Sequence, residues 1–404
     1  MKRISLLKIM AFGVLALVHT ACENAKYDVI DNLVYINEAS TSKTKELTLT
    51  EGTTRTSLTV RLVNIINQTI KANLFIDESV LDAYNKKNET NYKMPPKEYI
   101  SFPESVTIEA GSVSADPVNV DIKSFEAEGG AQYAIPISIK NVEGGIEKSE
   151  SSSSFLLVLV KPLKQAVPKL TWYNGMHAAP EGAWGLALPN YTLEWWSKVT
   201  SKSGNGGYTK NNQAIINSGG SGTELYIRFG DLIYSENGSY KNNFLQVKTM
   251  GSQFDTGDPT KGKGLEAQKW DHFAVSYDAA SGTTLLYQNG TVVASLSSSI
   301  GQPMNIDQFQ MISSGEEYFP DFCEMCQVRF WKVTRTVNQI KKSMYTEVDY
   351  TDKNLLLYLP MNEGEGATIL HDVTGNGHDV EIGNSNLGNE NRQKVTWETY
   401  SFAQ

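Results

Sequence analysis

A chain of 404 residues with 40% hydrophobic and 20% charged residues is ordinary globular material, long enough for two domains that each bury a core. A net charge of -9, a pI near 5.3 and the lack of any Lys/Arg run beyond the first residues leave no basic field for a phosphate backbone. The composition therefore argues against nucleic acid as a partner.

Residues 1–22 read MKRISLLKIMAFGVLALVHTAC, with Lys2 and Arg3, an apolar run from Ile9 to Val18 and small residues ending at Ala21-Cys22. That is the pattern of a cleaved export signal rather than of a spanning helix. It resembles a bacterial lipoprotein signal, departing from it at His19, where that family usually has Leu. The resemblance implies that Cys22 is lipidated and becomes the first mature residue, that residues 23–32 are a tether, and that the protein hangs by acyl chains from the outer membrane at the cell surface.

From Leu33 to Val160 short alternating segments follow one another: ELTLT, TSLTVRLVNI, KANLFID, SVTIEAG, PVNVDIK, YAIPISIK and FLLVLV. Seven or so strands with turns between them predict an immunoglobulin-like β-sandwich over residues 33–162. One helical interruption is expected in DESVLDAYNKKNETNY, where Val80, Leu81 and Tyr84 share a face. The run LDAYNKKNETNYKMPPKEYISFPESVTIEAGSVSADPVNVDI, followed by YAIPISIKNVEG, resembles a domain of unknown function found in Bacteroidetes lipoproteins ahead of glycan-binding or glycan-cleaving modules. The segment KPLKQAVPKL shows no periodicity and carries Pro162 and Pro168, so residues 163–169 are read as the linker.

From Leu170 the chain is richer in Trp, Tyr, Asn and Gly. WDHFAVSYDAASGTTLLYQNGTVVAS, Trp270 to Ser295, alternates three times around two turns, the second at Asn289-Gly290, and predicts three antiparallel strands. Val337, Ile340 and Met344 mark one short helix. YTLEWWSKV, the triple-strand segment, CQVRFWKVTRTVNQIKKS and LLLYLPMNEGEGATILHDVTGNGHDVEIG resemble, in that order, a laminin-G or concanavalin A-like lectin domain. The resemblance implies a jelly-roll sandwich over residues 170–404 and completes an all-β fold of two sandwiches.

Such folds also host glycosidases, which need two carboxylates about 5–9 Å apart across a sugar. The laminarinase-like members place them as Glu-x-Asp-x-x-Glu on one strand, and no such triplet occurs here. In FCEMCQVRF the isolated Glu324 reads as a solvated or turn-facing acid. His272 reads as an exposed or rim residue, and no nucleophile signature accompanies the histidines. Cys323 and Cys326 have no second ligand pair for zinc and lie too far apart on a regular strand for a disulfide. They read as packing residues, a local disulfide requiring a bulge. No catalytic residue is assigned.

The loops FDTGDP and HDVTGNGHD are acidic and Gly-containing, and structural calcium recurs in the resembled superfamily. Asp372, Asn376 and Asp379 are the candidate ligands, against the plainer reading of a turn held by Asx hydrogen bonds. Sugars are held by an aromatic platform with polar groups beside it. The loop residues of that kind are Trp184, Tyr234, Tyr240, Asn242, Asn243, Phe254, Asp255, Tyr318 and Phe319. Trp196 alternates out of phase with Leu193 and Trp195 and reads as a packing residue.

The expected function is binding without catalysis: a lipid-anchored protein that captures an oligosaccharide or glycoprotein glycan, in the company of outer-membrane capture proteins and with host N-glycans as the suggested class. A protein-binding or adhesion role is the alternative, and a glycoside hydrolase with an unrecognised site comes third.

Overall fold

In the computed structural model the residues described are 31–402 apart from 126–127, 181–183, 219–223, 231–241, 258–263, 316 and 384–394. The signal, the tether as far as residue 30 and Cys22 lie outside them. Among the described residues no helix is long and apolar enough to cross a membrane.

The alternating segments of the first half become strands because one face of each meets a core. In Thr53–Leu58 the even residues are buried and the odd ones exposed, and Val118–Lys123 repeats the pattern with Val118, Val120 and Ile122 inward. A five-stranded sheet runs in the order Thr44–Thr48, Ser154–Val160, Tyr133–Glu143, Ile70–Ile76, Ser105–Ile108. It packs on a three-stranded sheet of Thr53–Leu58, Val118–Lys123 and Ile100–Ser101, with Val34–Ile36 and Val60–Leu62 as a ribbon beside them. Ile36, Ile70, Val120, Ile137 and Leu157 meet in the shared core. The helix Glu78–Asn88 is longer than its apolar face suggested and buries only Leu81. It ends at Glu89 in the left-handed region, where the Asn85 side chain accepts from Thr90 and Tyr92.

The second domain begins earlier than expected. Leu163–Leu170, whose first seven residues read as a linker, is a strand that pairs with Thr396–Phe402 from Leu163 to Lys169 and with Phe322–Trp331 at its last two residues. Pro168 hid it, yet its missing N–H costs no ladder bond there, since the strand has a single hydrogen-bonded neighbour up to that residue.

The large sheet runs Thr291–Ser297, Thr283–Gln288, Asp271–Asp278, Asn190–Thr200, Phe322–Trp331, Leu163–Leu170, Thr396–Phe402, with Leu355–Leu359 also paired to Phe322–Trp331. The expected triple-strand segment is its edge, and Asn289-Gly290 turns with φ of 50° and 71° at its two residues. A six-stranded sheet faces it in the order Met176–His177, Gln310–Met311, Gln213–Asn217, Tyr226–Phe229, Leu245–Thr249, Ser252–Asp255. Leu193, Trp195, Phe273 and Val275 of one sheet meet Ile227, Phe229 and Val247 of the other.

The far face of the large sheet is also covered, by the helix Val337–Ser343 and the chain after it. A capping box of Thr336 and Gln339 starts that helix. Trp196 lies beneath it at 4% exposure, its indole N–H donating to the Met344 carbonyl at 2.7 Å. Glu194 and Arg335 form a buried ion pair beside it, Arg335 donating to one carboxylate oxygen while Nε2 of His272 stands 3.7 Å from the other. His272 is 1% exposed and not a rim residue, because its strand is central and the covering segment lies over it. Burial, reinforced by Arg329 and Arg335 and opposed by Glu194, holds its imidazole neutral with a pKa of about 3.

Cys323 and Cys326 are free, buried core residues on the same strand, and their thiol pKa values are pushed up by burial. A bulge does occur beside them, at Gln327 with φ of 55°, but on the far side of Cys326, so the stretch between the two cysteines stays regular.

Candidate functional site

The six-stranded sheet has one apolar and one polar face, and its register shows how. Met176, Met311, Ile216, Ile227, Val247 and Phe254 pair across all six strands and point into the core. One step along every strand the side chains reverse, giving the row His177, Gln310, Asn217, Tyr226, Lys248, Gln253. Two residues further the same side of the sheet carries Arg228, Gln246 and Asp255, of which Gln246 is fully buried. A polar, ring-bearing surface crosses the whole sheet.

Its centre is held in place. The Tyr226 hydroxyl donates to Oδ1 of Asn212 at 3.0 Å, and the Arg228 guanidinium donates to the same oxygen at 2.7 Å and to Oε1 of Gln246 at 2.8 Å. The guanidinium carbon stands 5.3 Å from the centre of the Tyr226 ring, a cation–π distance. Lys248 pairs with Glu224 at 3.2 Å on the same face. Asn212 is fixed from behind: its carbonyl accepts from Ser314 at 2.6 Å, and Ser314 accepts from the amide of Ala214 at 2.8 Å. Asp321, 1% exposed, accepts from Thr209 N, Thr209 Oγ1 and Gln213 Nε2 at 2.6–2.9 Å and closes the loop that carries Asn212. A half-buried ring with fixed donors and acceptors around it suits a ligand that offers hydroxyls and C–H faces.

Of the residues expected to bind, Asp255 falls on this face. Tyr234 and Tyr240 lie outside the described residues. Asn242 is half-buried, and Asn243 is used to join two segments, donating to the Leu265 carbonyl at 3.1 Å and accepting from its amide at 2.7 Å. Phe254 and Phe319 are core residues at 8% and 1% exposure, not platforms: Phe254 sits on an inward strand position opposite Val247, and Phe319 joins the same cluster. Tyr318 is exposed. Trp184 is half-buried, with its ring stacked 4.3 Å from His378 and its indole donating to Pro180 at 3.2 Å, beside the first strands of the sheet.

The loop at 371–379 is held by its own hydrogen bonds. Oδ1 of Asp372 accepts from Tyr358 N, Thr374 N and Thr374 Oγ1, and Oδ2 accepts from His378 N and approaches His378 Nδ1 at 3.2 Å. Asp379 accepts from the Asp372 amide, and the Asn376 amide donates to the carbonyls of Leu355 and Leu356. With both Asp372 oxygens taken by protein donors, these residues do not fit a calcium ion. Among the described residues no group of three or more His, Cys, Asp or Glu is placed to hold a metal.

Glu324 is buried at 1% exposure, against the expectation of a solvated acid, and is 3.0 Å from the Lys198 ammonium. Burial pushes its carboxyl pKa up while Lys198 opposes the shift. Its partners, Lys198 on the neighbouring strand and Tyr400, are shared with Glu398, so the acid is held in a charged cluster within the sheet.

Residues 30–146 match a family model of an N-terminal domain, and residues 177–341 match that of the Concanavalin A-like lectin/glucanases superfamily. No curated protein matches the chain. Among solved structures, a Bacteroides ovatus protein proposed to bind carbohydrate is 22% identical over 92% of this chain and 99% of its own, with a TM-score of 0.59. A two-domain Bacteroides fragilis protein of unknown function is 12% identical over 77% of this chain and 100% of its own, with a TM-score of 0.29. EndoBT-3987 of Bacteroides thetaiotamicron, solved with a Man5GlcNAc product, is 23% identical over 32% of this chain and 30% of its own, with a TM-score of 0.28. The chain thus joins an N-terminal domain of one family to a concanavalin A-like domain, and the Bacteroides ovatus protein shares that fold across nearly its whole length.

Proposed function

We propose that the protein captures a saccharide on the polar face of its six-stranded sheet and does not cleave it. The observation that carries this reading is the outward row through Tyr226, whose ring and hydroxyl are positioned by Arg228 and Asn212. The proposed carbohydrate binding of the Bacteroides ovatus protein of the same fold supports it. Non-catalytic capture accords with Glu324 and Glu194, whose carboxylates are committed to buried ion pairs. Single-site affinity on such a face is modest, because few hydroxyls are engaged at once, and display of many copies raises it. Lipid attachment at Cys22 would supply that display at the outer membrane, beside other capture proteins, and host N-glycans are the first class to examine.

The test is a glycan array probed with the soluble chain from Asp31 to Gln404, paired with Tyr226→Ala. Loss of stacking and one hydrogen bond, about 1.5–3 kcal/mol, weakens binding roughly 10- to 100-fold. Unchanged glycan binding in the variant would remove the sheet face as the site. A folded chain that binds no glycan would favour the protein-partner reading.

A further inference from the structure

A second concavity lies away from the sheet face, between the two domains. Its volume is about 420 Å³, within the roughly 300–1,000 Å³ of ligand sites, which favour domain interfaces. The first domain contributes the half-buried rings of Tyr133 and Tyr92 and the second that of Tyr345, above the core residues Phe125 and Phe402.

The gap is built rather than incidental. Nε2 of Gln132 donates to Thr346 Oγ1 at 3.0 Å, and the amide of Tyr350 donates to the Gly129 carbonyl at 3.0 Å. Lys93 meets Asp349 at 3.5 Å, and a Cβ on Gly130 would fall 2.1 Å from the Val348 carbonyl oxygen. These contacts pin the domains while leaving the cleft between them.

We propose that this cleft is a second saccharide site, taking one or two sugar rings and using residues of both domains. The chemistry selects the class. Aromatic residues line the cleft, while Lys161, Lys164 and Lys342 stand against Glu46 and Glu347. A polyphosphate would need a concentration of positive charge that the two glutamates cancel, and a wholly apolar ligand would desolvate all five charges without return. A hydroxyl-bearing ring meets both donors and acceptors and lays its C–H face on an aromatic. The site stands apart from the sheet face, so either reading can fail alone.

The experiment is equilibrium dialysis of the chain from Asp31 to Gln404 against labelled maltose, lactose and cellobiose at millimolar concentration. Tyr226→Ala disables the sheet face. Thr48→Trp fills the cleft from an exposed position on the edge strand Thr44–Thr48, which leaves the core untouched, and Tyr92→Ala removes an aromatic residue. The expected result is one saccharide retained per Tyr226→Ala chain, weakened at least tenfold when Thr48→Trp or Tyr92→Ala is added. No residual binding in Tyr226→Ala, or residual binding that neither cleft variant moves, would overturn the proposal; full native stoichiometry in Tyr226→Ala would instead overturn the sheet-face reading.

Discussion

The buried imidazole of His272 makes the second domain acid-sensitive by an amount that can be worked out. Burial holds its native pKa at about 3, against 6.5 for an unperturbed His. As pH falls, the unfolded chain takes up a proton near 6.5 while the native chain refuses it until about 3, so native stability is lost over that window. Between pH 7 and pH 5 the loss is about 2 kcal/mol, approaching about 1.4 kcal/mol for each further unit. The buried carboxyls of Glu324 and Glu363, their pKa values pushed up by burial, are equally present in a His272 variant and cancel in a comparison with it. All seven tryptophans lie between Trp172 and Trp397, so their fluorescence in urea follows the second domain alone. The native chain and His272→Gln are compared at pH 7, 6 and 5; the variant is expected to start less stable but to lose about 2 kcal/mol less on acidification. Equal pH slopes for the two chains would refute the assignment.

Four further outcomes are expected. Asp321→Ala, which removes the acceptor of both Thr209 donors and one of the two acceptors of Gln213, costs about 2–4 kcal/mol in urea unfolding and weakens glycan binding by releasing the Asn212 loop; unaltered binding would separate that loop from the site. EDTA leaves the melting temperature unchanged, because protein donors already saturate Asp372, and a fall of several degrees would reveal a structural ion. Gly130→Val, at a φ of +65° and against the Val348 carbonyl, costs about 1–3 kcal/mol in backbone strain alone and opens the domain junction to protease; an intact junction would count against the interface. Cys22→Ser moves the protein from the membrane to the soluble fraction, and membrane retention of the variant would exclude the lipid anchor.

Strands were legible wherever period-2 alternation met a turn residue. Trp270 to Ser295 carries both signals, and each of its strands and the Asn289-Gly290 turn is in place. Leu163–Leu170 was hidden by Pro168, although Leu163, Gln165 and Val167 alternate inward with Lys164 and Ala166. What reads as a linker is decided there by a missing neighbour, a fact of topology that no local pattern records. The same holds for His272, Glu194 and Glu324. Their charges suggest solvent, yet Glu194 and His272 are met by Arg335 from a segment some sixty residues after His272, Glu324 is met by Lys198 on the neighbouring strand, and these partners make the burial tolerable.

The site was missed for a related reason. Searching loops for aromatics picks out Phe254 and Phe319, which the core absorbs, because an aromatic is worth more to a sandwich interior than to its rim. Tyr226 sits instead on a four-residue strand, Tyr226–Phe229, whose alternation puts Ile227 and Phe229 inward and so sends Tyr226 and Arg228 out. That parity was readable from ELYIRF. The rest was not: the oxygen that fixes both side chains belongs to Asn212, and the Gln246 that completes the fork is reached only through the register of the next strand. A one-residue slip of that register would carry Gln246 inward and bring Leu245 or Val247 beside Arg228. The binding face therefore depends on the same pairing that buries Ile227 against Val247, and a variant that loosens the core here is expected to lose the ligand before it loses the fold.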